Sequence, residues 1–410
     1  MDLSTRRRRA GTRGLSIALF LAALAPLGAL TASGPPPRAP TTTDRATAGQ
    51  AADQAASRAA GQAVGAPAAW TWWAAPAGSP TLGFATRPCP DTMLRVTHVP
   101  FVIDMTECDP RSALLKGPNG LGAVVPADGS SVAASILGGR GMRSMVVRVD
   151  LDRKRVTVSG EEPGGSPGAF PDNRAGLASN RLSALRTPEP TPFPSPSLPA
   201  VAPLSACKDA AYRRDGAPLP SRRHRRPILK WWYYPGTGPV PGLSPKQRMS
   251  AFTRGTLIAL QGRNNCHLGR IAIRQKFKGY TWRPPGVMSS GACGMADGRN
   301  VRGWMRFDMG EAMLGLTCKW FRRGKMIEGD VALNANRVRW TTSSKRCRGN
   351  TYDAVGVAAH ENLHHLGLAH VEGARHRKLT MFPAIDTCEF HWRTLGLGDF
   401  LGLKRSYGAR

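Results

Sequence analysis

The sequence predicts an α+β domain over residues 206–410, preceded by a small β-rich domain over 81–160. Three observations point there. Runs of alternating or continuous apolar residues, divided by Gly-rich turns, dominate both stretches and read as strands. Two segments of the longer stretch carry apolar residues at helical spacing, and one of them comes late, after the strands. Between the two stretches, residues 161–205 hold TPEPTPFPSPSLPAVAP, whose prolines block helix and central strand alike.

Taken in order, the chain opens with MDLSTRRRRAGTRG, a positive leader, and the apolar run Leu15–Leu30 of 16 residues. Small residues follow, so residues 1–32 read as a secretory signal peptide cut near Ala32. The run is short for a bilayer span, and no second one of that length follows. The mature chain is therefore expected to be secreted and extracellular, free or wall-associated, without stable membrane insertion. Residues 33–80, rich in Ala, Pro and Thr, read as a disordered spacer. In 81–160, HVPFVI reads as a strand and MVVRVDLDRKRVTVSG as a hairpin turning at DRK. Residues 161–205 form an extended linker.

Within 206–410, PILKWWYYP is the first expected strand and MSAFTRGTLIALQGR a helix. IAIRQKFKGYTW, NVRGWMRFDM, AMLGLTCKWF and KMIEGDVALN read as further strands. TYDAVGVAAHENLHHLG reads as a helix, capped by Asp353 or Thr351 and ended by Gly367 in a left-handed conformation. LGLGDFLGLKRSYG gives a short last helix.

The formal charge is +30, and residues 206–410 carry 36 Lys and Arg against 13 Asp and Glu, +23 of that total. This half attracts anions, so an acidic polymer or anionic surface is an expected partner class. Nucleic acid is not, because no zinc-finger spacing, RNP signature or basic heptad helix accompanies the charge. Eight cysteines in an exported chain read as disulfides, and none forms a CxxC pair. Six lie in 206–410, an even number, and their pairing is open among fifteen arrangements. RPCPD at 87–91 leaves two mutually exclusive roles for Cys89: a thiolate on a metal, or a disulfide with Cys108.

The chemistry concentrates in HENLHHLGLAH, residues 360–370, which hold four of the nine histidines. On a helix His360 and His364 share a face, the spacing a zinc ion needs. Glu361 is turned slightly round the helix, within reach of water at the metal without being a ligand. Gly367 lets the chain turn, and His370 returns as the third ligand. Three histidines leave the fourth tetrahedral position open, the catalytic arrangement. Glu361 is then placed to take a proton from water attacking a carbonyl. His365 points off this face and is expected at the rim or in solvent, and His376 and His391 at the surface. KLTMFPAI, with Met381, supplies a methionine turn downstream.

HENLHHLGLAH followed by LTMFP resembles the metzincin zinc endopeptidases, and within them the matrixin-like branch. LGLGDFLGLKRSYG is similar to the matrixin closing helix, with Asp399, Gly402, Tyr407 and Gly408 at matching places. IEGDVALN resembles the strand before the active-site helix, and the six cysteines resemble those of secreted bacterial matrixin-like proteases. The resemblance covers about 205 residues. It implies a metzincin-like fold: a five-stranded, twisted, mostly parallel sheet, an active-site helix and a Met-turn. It also implies cleavage of polypeptide substrates bound along the edge strand AMLGLTCKW. His360, His364 and His370 would bind one catalytic zinc, Glu361 would be the general base, and Met381 would support the metal from below. The upstream His and Asp cluster of a second zinc site has no counterpart. Only five Asp and Glu lie between Cys266 and Asn350, which puts structural calcium in doubt.

Residues 81–160 read as a propeptide or accessory domain, released by a cut in the Pro-rich linker or at Ser221–Pro227. The competing function class is a basic extracellular wall- or polymer-binding protein whose metal site is not catalytic.

Overall fold

The computed structural model describes residues 87–161 and 202–409, apart from 118, 139–142, 216–217, 221–225 and 310–312. The export signal, the spacer, nearly all of the linker and most of the Ser221–Pro227 cluster lie outside the described residues.

Nine strands make one sheet. They are β1 (Phe101–Asp104), β2 (Ser131–Gly138), β3 (Ser144–Asp150), β4 (Arg155–Glu161), β5 (Ile228–Tyr234), β6 (Arg274–Tyr280), β7 (Val301–Met305), β8 (Met313–Arg322) and β9 (Lys325–Asn334). Their order across the sheet is β6-β5-β7-β9-β8-β2-β3-β4-β1. β6, β5, β7 and β9 run parallel, and β8 is antiparallel to β9. β2 then pairs antiparallel with the far side of β8, and β3, β4 and β1 continue antiparallel. The parallel character expected from the sequence thus belongs to the strands from residue 228 onward. The sheet as a whole is mainly antiparallel, because the amino-terminal strands extend it.

β2 is absent from the expected strands. SVAASILG has no alternation to betray it, since six of its eight residues are buried and both faces are covered. The hairpin of β3 and β4 forms as expected, around Leu151–Lys154.

Three helices pack on the sheet: α1 (Pro245–Gln261), α2 (Ala354–His365) and α3 (Leu397–Tyr407). α1 starts at a capping box in which Ser244 and Gln247 satisfy each other's backbone N–H, with Pro245 first in the helix. α2 starts at Asp353, whose carboxylate accepts from the N–H groups of Val355 and Gly356. Arg393 holds that carboxylate from behind at 2.6 and 2.7 Å. Every residue of α2 is buried. A helix buried all round must find internal partners for each polar side chain it carries, which is the constraint that organises the site.

Two apolar clusters hold the fold. The larger lies between the helices and β5, β7 and β9. Its aromatic centre is edge-to-face: Phe252 to Trp304 at 5.5 Å and Trp304 to Trp340 at 5.7 Å between centroids. Each such pair adds about 0.5–1.5 kcal/mol beyond area burial. Leu137 of β2 is the one buried residue from 87–161 in this cluster. The second cluster is shared: Val132, Ala134, Ile136 and Val147 pack with Phe307, Leu316, Cys318 and Trp320.

All eight cysteines pair, as Cys89–Cys108, Cys207–Cys266, Cys293–Cys318 and Cys347–Cys388. Cys89 therefore takes the disulfide role, and the thiolate role is excluded. No disulfide joins residues 87–161 to residues 202–409. Four disulfides fit an oxidising compartment. Among the described residues no helix is long and apolar enough to cross a membrane.

Candidate metal centre

His360 and His364 leave α2 on one face, one turn apart, and His370 returns to them after a tight reversal. Gly367 makes the reversal, with φ 94°, a conformation that suits glycine. Its N–H donates to the His364 carbonyl. Leu368–Ala369 then pairs antiparallel with Arg213–Arg214, which carries His370 back under the helix.

The three Nε2 atoms converge. They lie 3.1 Å (His360–His364), 3.0 Å (His364–His370) and 3.3 Å (His360–His370) apart. Tetrahedral zinc, with Zn–N bonds of about 2.0–2.1 Å, sets its ligand nitrogens about 3.3–3.4 Å apart. Two of the three far nitrogens are engaged by backbone carbonyls. His360 Nδ1–H donates to the Thr380 carbonyl at 2.6 Å, and His364 Nδ1–H to the Leu368 carbonyl at 2.9 Å. Both rings therefore turn a lone pair inward. Burial, with the neighbouring imidazoles, holds His360 and His364 well below the ordinary histidine range, so both are neutral. Lone pairs gathered without a proton between them repel one another, and a cation at their centre removes the conflict. The donor set thus fits a metal ion.

Two further contacts shape the cluster. The Trp392 indole stacks on His360, 4.7 Å between centroids and 16° from parallel. Met381 is buried in the helix-side core, and its carbonyl accepts from Val371 N–H, just after His370. The Met381 turn is braced from α3. Asp399 accepts from the N–H groups of Thr380 (2.8 Å), Met381 (3.1 Å) and Gly396 (2.9 Å). Burial pushes the Asp399 carboxyl up to about 6, and those three donors limit the rise.

Glu361 turns toward β8. Its Oε2 is 2.5 Å from the Thr317 hydroxyl, which also lies 3.0 Å from the Glu361 carbonyl oxygen. Oε1 is buried and has no hydrogen-bond partner. Gly315 makes room for it, since a Cβ there would stand 2.5 Å from Oε1. Burial raises the Glu361 carboxyl to about 8, against the pull of Thr317.

The chain matches no protein-family model and no curated protein.

The structure brings together the residues expected to act together, and adds some that sequence reasoning missed. Thr317, Trp392 and Glu161 touch the site from 32 to 209 positions away along the chain, and no spacing rule links them to it. Glu161, the last residue of β4, sets Oε2 3.3 Å from His370 Nδ1, while Oε1 pairs with Arg213 at 2.8 Å. Burial works against its charge, but His370, Arg213 and Ser144 together hold its carboxyl below the usual range.

One expectation is corrected. His365 is fully buried and does not lie at the rim. Its Nδ1 meets Arg302 Nη2 at 3.3 Å, and Arg302 Nε donates to Asn362 Oδ1 at 2.8 Å. A helix buried on every side leaves no solvent for its off-face histidine, so His365 packs against a buried guanidinium. His376 is partly buried and sits 2.8 Å from the Asp209 carboxylate, so it is tied down rather than a free surface residue.

The four central side chains, His360, Glu361, His364 and His370, are at most 2% exposed. β2 covers the edge of β8 beside them, with Ser135 opposite Thr317 and Leu137 opposite Gly315.

Proposed function

We propose that this chain is a secreted zinc-dependent endopeptidase of the metzincin kind, akin to the matrixin-like branch. The observation that carries the reading is the convergence of three histidine Nε2 atoms from HENLHHLGLAH at zinc-compatible spacings, with Glu361 next to His360 on the same helix. The five strands β6-β5-β7-β9-β8, of which only β8 is reversed, support it, because the resemblance implies a five-stranded, mostly parallel sheet. So does the buried Met381 turn, tied to Asp399 of the closing helix.

A bound zinc would supply Lewis acidity, lowering the pKa of water and polarising a peptide carbonyl. The chain's residues do the rest. His360, His364 and His370 would hold the ion, with two tautomers set by Thr380 and Leu368. Glu361 takes the proton from the attacking water and delivers it to the departing amine nitrogen. β8 offers its backbone N–H and C=O groups to an extended substrate by strand addition.

In the described chain β2 occupies that edge and the site is closed. Polypeptide enters only after β2 leaves β8, so residues 87–161 act as a propeptide released by cutting in the Pro-rich linker or at Ser221–Pro227. A cut at the second place alone leaves residues 87–161 tethered through the Cys207–Cys266 disulfide, and it frees them only once that bond is reduced. The test is casein hydrolysis by the secreted chain, before and after a cut within 162–201. Each sample is run with and without a zinc chelator, beside Glu361→Ala. Hydrolysis by the cut chain, lost with chelator and with the variant, is expected. Intact casein in the presence of the cut, zinc-loaded chain freed of residues 87–161 would sink the peptidase reading.

A second reading, an acidic-polymer-binding protein with a non-catalytic metal, draws on the outer strand β6. Arg274, Lys276 and Lys278 are exposed there, and Lys276 stands directly opposite Lys230 on β5. Like charges in register repel unless an anion lies between them. Salt-sensitive retention on an acidic polysaccharide, lost when these four residues become Gln, is its signature.

A further inference from the structure

We propose that Glu161 is a positioning residue of the metal centre, so that the amino-terminal segment supplies part of the site. The inference rests on the metal reading above. Metal on Nε2 of a neutral imidazole fixes the proton on Nδ1, and a buried Nδ1–H needs an acceptor. For His360 and His364 the acceptors are the carbonyls of Thr380 and Leu368, both from the same stretch of chain as the histidines. His370 has no such neighbour. Its Nδ1 is buried with no hydrogen-bond partner, and so is Oε2 of Glu161, 3.3 Å away. Each of these orphaned atoms is what the other lacks. The separation is a few tenths of an ångström longer than a charge-assisted bond of about 2.7–2.9 Å, a gap that a small rotation of the ring closes.

Glu161 is held for this purpose from its other side. Arg213 grips Oε1 at 2.8 Å, and the same guanidinium reaches the His370 carbonyl at 3.5 Å. Arg213 belongs to the short strand that pairs with Leu368–Ala369, so the carboxylate, the guanidinium and the third histidine form one closed cluster. A second contact joins the same two segments, Arg143 to Glu372 at 3.6 Å. The arrangement is a carboxylate–histidine–metal relay in which the carboxylate comes from outside residues 202–409. In the closed chain, residues 87–161 therefore do two things: β2 covers the β8 edge, and Glu161 orients His370 and raises its basicity toward the metal. Removal of the segment would open the cleft and loosen the ion in one event.

The experiment measures zinc affinity of the full chain by competition with a chromophoric chelator, and the visible spectrum after cobalt substitution. It compares wild type, Glu161→Gln, Glu161→Ala and the control Asp150→Ala, which removes an exposed ion pair of the same segment. The expected result is a 10- to 100-fold loss of zinc affinity in Glu161→Ala, a smaller loss in Glu161→Gln, and altered cobalt bands in both, with the control unchanged. The Gln variant keeps the side-chain volume, so it decides the matter if the Ala variant misfolds. Wild-type affinity and spectrum in a folded Glu161 variant overturn this inference alone. A wild-type chain that binds no zinc overturns the metal centre and this inference with it.

Discussion

Asp399 reaches across from the first turn of α3 and accepts the backbone N–H groups of Thr380 and Met381 at 2.8 and 3.1 Å. The carbonyl of that same Thr380 fixes His360. A carboxylate on α3 thus sets the orientation of His360, through one peptide unit. Asp399→Asn replaces one acceptor oxygen with an N–H₂ that faces a backbone donor. We expect a loss of about 1–3 kcal/mol in denaturant unfolding and weaker zinc binding. Unfolding curves and chelator competition on the same preparation check both.

Glu361→Gln separates binding from chemistry. The side chain is not among the converging nitrogens, so zinc stoichiometry stays at one per chain. On the proposed reading, hydrolysis by the chain freed of residues 87–161 falls by several orders of magnitude, because the proposed proton acceptor is gone while size is kept. Metal analysis beside peptide-cleavage rates is the measurement.

His364 and His365 are neighbours in sequence with opposite assignments. His364→Ala removes a ligand and abolishes tight zinc binding. His365→Ala keeps the zinc but leaves Arg302 short of a buried partner, which costs about 1–3 kcal/mol of stability. Zinc at about 100 times its Kd should stabilise the His365 variant by about 2.7 kcal/mol, as it does wild type, and leave His364→Ala unmoved. Thermal melts with and without zinc distinguish the two.

Glu328 and Asp330 on β9 set the pH response of stability away from the metal. Glu328 accepts from Asp297 N–H at 3.1 Å and from Gly298 N–H, and Asp330 accepts from Val301 N–H at 2.7 Å. Burial raises both carboxyls, Glu328 to about 7; Asp297 adds to the rise of each, and Glu328 adds to that of Asp330. A carboxyl raised in the folded state binds its proton more tightly there than in the unfolded chain. Its contribution is complete below the ordinary carboxylate pKa and is lost as pH rises through about 7. Wild type should therefore lose stability between about pH 4.5 and 7, and Glu328→Gln should flatten that slope. Urea unfolding at several pH values reads it directly.

Much of this was legible in the sequence, for physical reasons. HENLHHLGLAH shows its ligands because i, i+4 spacing and a left-handed glycine are local geometry. Asp353 shows as a cap for the same reason. The strands of the carboxy-terminal segment alternate or run apolar between Gly-rich turns, so they show as well. What stayed hidden is long-range. SVAASILG lacks any period because both faces are covered. Glu161 lies in a surface-looking hairpin end, and only the β2–β8 pairing brings it to His370. His365 was misplaced because a helical wheel assumes that one face meets water, and α2 has no such face.

The β2–β8 pairing also constrains how the chain is made. Ser135 waits for Thr317, about 180 residues further on, before its strand has a neighbour on that side. Sheet closure in this protein is a late event of high contact order, and slow folding follows from it. Until β8 arrives, the amino-terminal strands expose an open apolar edge. The partner that shields that edge in the finished protein is absent throughout the interval, so assistance during folding would act on the hairpin of β3 and β4 and its neighbour β2, before any of the three converging histidines is made.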